Sequence, residues 1–450
     1  NKYGMKPLTK KNYFVYGLGN FASQLSWTMV STYLAVFYTD VFGLTAGAVA
    51  ILFLVAKIWD GINDPMMGTI MERTHTRWGR FRPYITIGAP LLVVFTILTF
   101  TVPGFGGTGK LVYAYITYIG LGMIYTMTNV PYQGLPAVMT RNPQKINRLN
   151  AAQTMGMMLG MILLNLFTLP LVNHFEAIKP KSGYQITAGL FAIIALPMFW
   201  ICAKTCKETV TIKKEDQAPI KESLYRIFTN KNLLMIILYT VFSMTGAMGR
   251  IGVAVYFYLH VANTAGLTVI FMMMPMIMGA ILMPVAPRFM EKIGKRNVIF
   301  FALFVQILGL LMMIFGPYTN IPYLFVCHIV YGLGAVEKAC GPCMIVDALD
   351  AMDLETGVRP DGTAFSLMGL GVKIGTAIGS ALGVAIMGWY GYSGAETVTA
   401  HVQQGIMVGV NWVPIIVFAI SAIPMFFYSL KEDDMVEIRE KLKVRNEANN

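Results

Sequence analysis

Apolar runs separated by short polar segments dominate the chain, and twelve of them are centred near residues 25, 56, 93, 123, 162, 193, 245, 277, 306, 333, 376 and 417. Each is long enough to cross a hydrocarbon core as a helix, which takes about 20 residues. The pattern predicts an all-α membrane protein of twelve transmembrane helices. The longest polar segment, KTCKETVTIKKEDQAPIKESLYRIFTNKN, covers residues 204 to 232 and divides the runs six and six. The predicted organisation is an N-terminal six-helix half over 1–203, a middle loop over 204–232, a C-terminal six-helix half over 233–430 and a tail over 431–450. Two repeated halves are a common plan among secondary transporters.

Composition agrees with this class. The 450 residues are 56% hydrophobic and 13% charged, against about 25% charged in soluble domains. The net charge of +12 would suggest nucleic acid in a soluble protein, but its placement is topological. With the N-terminal segment inside, only Lys110, Lys179 and Lys181 of the 35 Lys and Arg fall on the outer side, and Lys57, Arg250, Lys338 and Lys373 fall within spans. The rest lie in cytoplasmic segments, as the positive-inside rule requires. Both termini are expected in the cytoplasm, with no nucleic-acid partner and the lipid bilayer as surroundings. The first span is too long for a cleavable signal and lacks a small-residue cleavage site. Five cysteines, none in a predicted outer loop, give no disulfide framework, and no N-x-[ST] sequon is present. These features favour a bacterial inner membrane.

The halves share a trace of repetition. MERTHTRWGR at Met71 and MEKIGKR at Met290 occupy the same loop of each half, and this spelling resembles the loop motif of the major facilitator superfamily. Spans 5 and 11 carry GMMLG at 156 to 160 and GLGVKIGTAIGSALG at 369 to 383. Small residues at such spacing read first as close helix packing. The 32 methionines are dispersed and read as adaptable packing.

Ionisable groups inside the spans carry the chemistry. A charged side chain at a helix centre costs about 2.5–3.5 kcal/mol on insertion scales and usually marks an ion or substrate path. In KIWDGINDPMMG, residues 57 to 68, Lys57, Asp60 and Asp64 fall on one helical face. Lys57 can neutralise Asp60, which leaves Asp64 without an obvious partner on its own helix. Asn63 adds a neutral oxygen, and Pro65 frees the carbonyl of Gly61. Two carboxylates with neutral oxygens suit a small hard cation, and they suit a proton equally, since adjacent like charges raise one pKa. Spacing does not separate Na⁺ from H⁺, nor either from a structural cluster.

Span 4 reads YIGLGMIYTMTNVPYQGLP, with Tyr125, Asn129 and Gln133 one turn apart, Thr126 beside them, and Pro131 expected to break the helix. Span 1 adds Asn20 and Gln24, with Trp27 close by. Amides and aromatics on facing helices make a sugar site, with interhelical hydrogen bonding as the competing account. In the second half Lys373 stands alone in span 11, Glu337 and Lys338 neighbour each other in span 10, and Arg250 of span 7 is placed to reach an interface. ACGPC at 339 to 343 has the spelling of a thioredoxin-like site, but it lies inside an apolar span instead of following a strand, and reads as coincidence.

The segments YGLGN (16–20), FYTDVFGL (37–44), FLVAKIWDGINDPMMG (53–68), RWGRFRP (77–83), YITYIGLGMIYTMTNVPY (115–132) and VDALDAMDLETGVRPDGTAFSL (346–367) together resemble the glycoside-pentoside-hexuronide:cation symporters, which include melibiose permease and the glucuronide carrier. The resemblance spans nearly the whole chain. It implies a major facilitator fold that alternates access around a midplane site. It also implies a coupling cation held by Asp60, Asn63, Asp64 and Thr126, with Na⁺ ahead of H⁺, although family members also use Li⁺ or H⁺. Tyr125 and Lys373 match the melibiose site. Gln24 and Asn129 stand where that site has aspartates, Gln133 where it has a tryptophan, and Gln153 where it has an arginine. Galactoside specificity is therefore not implied. A glycoside, pentoside or hexuronide is expected, with Lys373 available to a carboxylate. Lys57, Arg73, Arg141, Arg250, Glu337 and Lys338 are candidate gating or charge partners, no further cofactor is expected, and a monomer suffices.

Three other readings compete. An amphiphile such as a lysolipid or steroid conjugate on the same fold would show a wide apolar cavity opening to lipid. A non-transporting sensor would ordinarily append a soluble signalling domain, and the tail after residue 430 is short. An enzyme would need a convergent constellation, whereas the five histidines are dispersed; His328, in span 10, reads as packed and hydrogen-bonded.

Overall fold

The computed structural model describes residues 8–72, 74, 76–140, 143–208, 220–282, 285–357, 361–394 and 398–449. The described chain is almost wholly helical, and it divides into two compact units. The first comprises Asn1–Lys214 with Tyr392–Thr397, and the second Glu215–Gly391 with Val398–Asn450.

In the first unit the long helices are α1 (Lys10–Val36), α2 (Ala46–Glu72), α3 (Arg82–Thr99), α4 (Thr108–Met139), α5 (Pro143–Ile178) and α6 (Gly183–Thr205). In the second, α7 (Ile220–Thr229) leads into α8 (Lys231–Ile251) and the single turn α9 (Ala254–Tyr256). There follow α10 (Thr268–Leu282), α11 (Ala286–Ile293), α12 (Lys295–Phe315), α13 (Ile321–Gly332), α14 (Glu337–Thr356), α15 (Asp361–Trp389), α16 (Ala400–Met407), α17 (Val413–Phe427) and α18 (Glu432–Ala448).

Ten helices among the described residues are long and apolar enough to cross a membrane. The first and tenth predicted spans are not among these ten, for different reasons. Polar residues such as Asn20, Ser23, Gln24, Ser26 and Thr28 dilute α1, although it is 27 residues long. The apolar part of the tenth is only Ile321–Val336, and it passes through a 3₁₀ turn at Leu333–Val336 into the polar α14.

Glycine sets the closest helix crossings, which is the packing role expected of the small residues in spans 5 and 11. A Cβ on Gly156 of α5 would collide with the carbonyl oxygen of Gly17 in α1, and one on Gly17 would lie 2.8 Å from Ala152 O. The second unit repeats this contact between α8 and α15. A Cβ on Gly249 would lie 3.1 Å from the Cα of Gly379, and the Ser380 hydroxyl donates to Gly249 O at 3.1 Å.

The repeat extends to a feature that hydropathy does not display. A π turn at Phe37–Phe42 follows α1, and another at Phe257–Val261 follows α9. Leu44 N donates to Tyr38 O at 2.8 Å, and Thr264 N to Tyr258 O at 2.9 Å. Each turn closes on a left-handed residue, Gly43 at φ 90° and Asn263 at φ 53°.

The RWGRF loop is a double cap. The Glu208 carboxylate accepts from the backbone N–H of Arg80 (2.7 Å), Phe81 (2.6 Å) and Arg82 (3.2 Å) at the start of α3. In return the Arg82 guanidinium donates to Ala203 O and, at 3.3 Å, to Lys204 O at the end of α6. Orphan groups of two helix ends are thus satisfied by one exchange. The tail is also ordered, because α18 lies on an acidic stripe of α14. Arg439 meets Asp350 at 3.4 Å and Arg445 meets Asp353 at 3.0 Å, while Lys295 meets Asp347 at 2.6 Å.

Candidate functional site

The carboxylates of α2 meet one face of α4. Asp60 and Asp64 are one helical turn apart, as are Gly122 and Thr126. The Thr126 hydroxyl donates to Asp64 Oδ1 at 3.0 Å. One turn away, Asp60 fills the space that Gly122 leaves: a Cβ there would collide with Asp60 Oδ1 and lie 3.3 Å from its Cγ. Asp60 and Thr126 are buried, at 5% and 4% exposure. Asn63 and Asp64 are half-buried beside them on α2. α2 runs unbroken through Pro65, whose missing N–H leaves the carbonyl of Gly61 without its helical donor.

Lys57 Nζ stands 3.8 Å from Asp60 Oδ2 and 3.9 Å from the centroid of the Trp27 ring. The other side of this aromatic group is Tyr125, whose ring stacks with Trp27 at 4.4 Å and 17°. Three helices therefore converge: α2 supplies the charges, α4 a hydroxyl and a gap, and α1 an indole. Gly122 was missed by the sequence reading. The available signal was its place one turn before Thr126, the same interval that separates the aspartates.

The polar candidates for substrate separate into two groups. Asn20 is buried, and its amide donates to Gln153 O at 2.9 Å, while Tyr16 donates to Gln153 Oε1 at 3.4 Å. These two candidates join α1 to α5. Gln24 is half-buried and accepts from Thr28 at 2.9 Å. Asn129 is half-buried and Gln133 exposed, both on α4. This helix is continuous through Pro131 and Pro136, which corrects the expected break. Next to Pro131, Tyr132 stacks on Tyr16 at 4.6 Å, and each hydroxyl donates to the other residue's carbonyl. That reciprocal pair ties α4 to α1 at the residue after the proline.

Of the second-half candidates, Lys373 is half-buried on α15. Arg250 is buried instead of reaching an interface: it donates to Asn411 Oδ1 at 3.2 Å, contacts Met313 Sδ at 3.5 Å and lies 5.3 Å over Tyr331. Glu337 accepts from Tyr239 and, at 2.8 Å, from Ser243. Arg73, Arg141 and the side chain of Lys338 lie outside the described residues. His328 is packed and bonded, to Tyr258 at 2.6 Å and to Leu324 O at 2.7 Å. Cys340 is buried and Cys343 exposed, so the CGPC thiols have different environments.

Ten described helices long enough to cross a membrane, with Asp60 buried and Asp64 half-buried where α2 meets α4, define a polytopic membrane protein, and its fold has solved counterparts. The nucleoside transporter NupG superposes with a TM-score of 0.65 over 92% of this chain and 99% of that one, at 13% identity. Residues 15–432 match the family described as MFS/sugar transport protein, and the chain belongs to that family. It is 34% identical to the isoprimeverose transporter of Lactiplantibacillus pentosus, over 93% of this chain and 88% of that protein. It is 31% identical to the uncharacterized symporter YnaJ of Bacillus subtilis, over 96% of this chain and 94% of that one. The protein is thus a multi-pass transporter of a bacterial inner membrane.

Proposed function

We propose that this protein is a secondary active symporter that couples inward movement of a monovalent cation, Na⁺ before H⁺, to uptake of a glycoside, pentoside or hexuronide. The observation that carries the reading is the meeting of both α2 carboxylates with one face of α4, through Thr126 at Asp64 and Gly122 at Asp60. Carboxylate and hydroxyl oxygens suit a hard monovalent ion. Relatives named as an isoprimeverose transporter and as symporters support a sugar as the co-transported solute.

In this proposal Asp60, Asn63, Asp64 and Thr126 hold the cation. Asn20, Gln24, Tyr125, Asn129, Gln133, Gln153 and Lys373 are the residues offered to the sugar. Twelve spans in two six-helix halves, with both termini in the cytoplasm, alternate access as a monomer. Coupling follows from linkage: the cation neutralises α2 and favours the substrate-competent arrangement, and sugar favours the cation by the same factor. Return of the empty carrier leaves Lys57 to neutralise Asp60, the pair seen at 3.8 Å.

Uptake into membrane vesicles tests this directly. A panel of glycosides, pentosides and hexuronides is offered with Na⁺, Li⁺ and H⁺ gradients imposed separately. At least one sugar is expected to accumulate against its gradient with inward Na⁺. Absence of gradient-driven uptake of every sugar would contradict the proposal.

A further inference from the structure

Trp27 belongs to none of the residues assigned above to cation or sugar, yet it touches the machinery of both. The Lys57 ammonium lies 3.9 Å from its ring centroid and 3.8 Å from Asp60 Oδ2. The same indole stacks with Tyr125, a sugar candidate, at 4.4 Å. Tyr125 directly precedes Thr126, which donates to Asp64. A continuous path of contacts therefore runs from one carboxylate of α2 to the other, by way of α1 and α4, and Trp27 is the member that α1 supplies.

The physical consequence concerns where the ammonium goes. A positive ion beside Asp60 repels Lys57, and the repulsion is strong at such range because little water screens it: the lysine side chain is only 17% exposed. An indole face attracts an ammonium within about 6 Å, so Trp27 offers it a seat next to Asp60. The same ring, held between Lys57 and Tyr125, is fixed in orientation. Both faces of the indole are then taken, by the ammonium and by Tyr125, so Trp27 bears on a sugar only through the Tyr125 ring that it holds in place.

We propose that Trp27 is a positioning residue that couples the two sites: it retains the Lys57 ammonium when a cation takes its place at Asp60, and through its stack it holds the Tyr125 ring for the sugar. This inference rests on the symport reading.

The test uses the purified full-length transporter in detergent, with Na⁺ binding followed by calorimetry at constant ionic strength in choline chloride. Trp27→Leu removes the π face and is expected to weaken Na⁺ binding about tenfold, because the displaced ammonium falls back on Asp60. Trp27→Phe keeps a ring and is expected to restore part of the affinity. In a Lys57→Met background, Trp27→Leu is expected to change Na⁺ affinity by less than about twofold, since no ammonium remains to be housed. A merely structural tryptophan would produce the same shift in both backgrounds. Equal shifts in both, or none in either, would overturn the inference and leave the symport reading standing. If Leu at this position prevents folding, Trp27→Phe compared with and without Lys57→Met gives the same decision. A wild-type protein that binds no Na⁺, Li⁺ or H⁺ saturably would overturn the symport reading itself.

Discussion

Asp64→Asn is expected to abolish sugar accumulation driven by a cation gradient, lowering concentrative uptake by about 100-fold or more while leaving the protein folded. The amide oxygen of asparagine can still accept the Thr126 hydrogen bond, seen at 3.0 Å for the carboxylate, so the α2–α4 contact survives. The negative charge does not survive. A cation leaving water must be repaid by ligand charge as well as by ligand number, and two carboxylates become one. A hundredfold loss corresponds to about 2.8 kcal/mol, at roughly 1.4 kcal/mol per factor of ten, which lies within the range for breaking a charged buried contact. Energised vesicles measure the effect, and exchange of sugar across de-energised vesicles checks that the carrier is intact. Normal cation-driven accumulation in the variant would remove Asp64 from the coupling site.

Gly122→Ala is the second large effect, and its argument is steric. The added methyl collides with Asp60 Oδ1 and would lie 3.3 Å from Cγ and 3.4 Å from Oδ2. The carboxylate must rotate away from α4 and so leaves the place it fills at Gly122, one turn from the Thr126–Asp64 contact. Half-maximal uptake is expected to need about tenfold more cation, equivalent to about 1.4 kcal/mol. Stability should change little or rise, because alanine is favoured over glycine in a helix by up to about 1 kcal/mol. The combination of unchanged thermal unfolding and a shifted cation dependence separates this variant from a packing defect. An unchanged cation dependence would show that Asp60 has room to spare.

How much of this was legible in the sequence depends on the kind of signal. The charged face of α2 was legible because helical period alone places Lys57, Asp60 and Asp64 together, and ion pairing at that spacing follows. Thr126 was reached by resemblance, since a lone threonine in an apolar helix has no distinguishing chemistry. Gly122 was not singled out, because a missing side chain becomes meaningful only when its occupant is known. Trp27 was noted near the polar stripe of α1, but its contact with Lys57 depends on how α1 and α2 pack. Close packing was expected of the small residues in spans 5 and 11, but neither their partner helices α1 and α8 nor the atoms they meet were.

The misread elements have equally local causes. Proline is a strong indicator of a helix break, yet α4 continues through Pro131, with the Tyr16–Tyr132 exchange tying the next residue to α1. Arg250 looked able to reach an interface, yet an amide, a sulfur and an aromatic ring give its guanidinium a buried place. The paired π turns escaped notice because hydrogen-bond registry leaves hydropathy unchanged. Their spelling, Phe-Tyr at 37 and again at 257, was the available trace.

The central claim is that cation and sugar favour each other's binding. The direct measurement is the dissociation constant of a transported sugar with and without saturating Na⁺, set beside that of Na⁺ with and without the sugar. The account predicts that both tighten, and by the same factor; sugar binding that is identical in Na⁺ and in choline would contradict it.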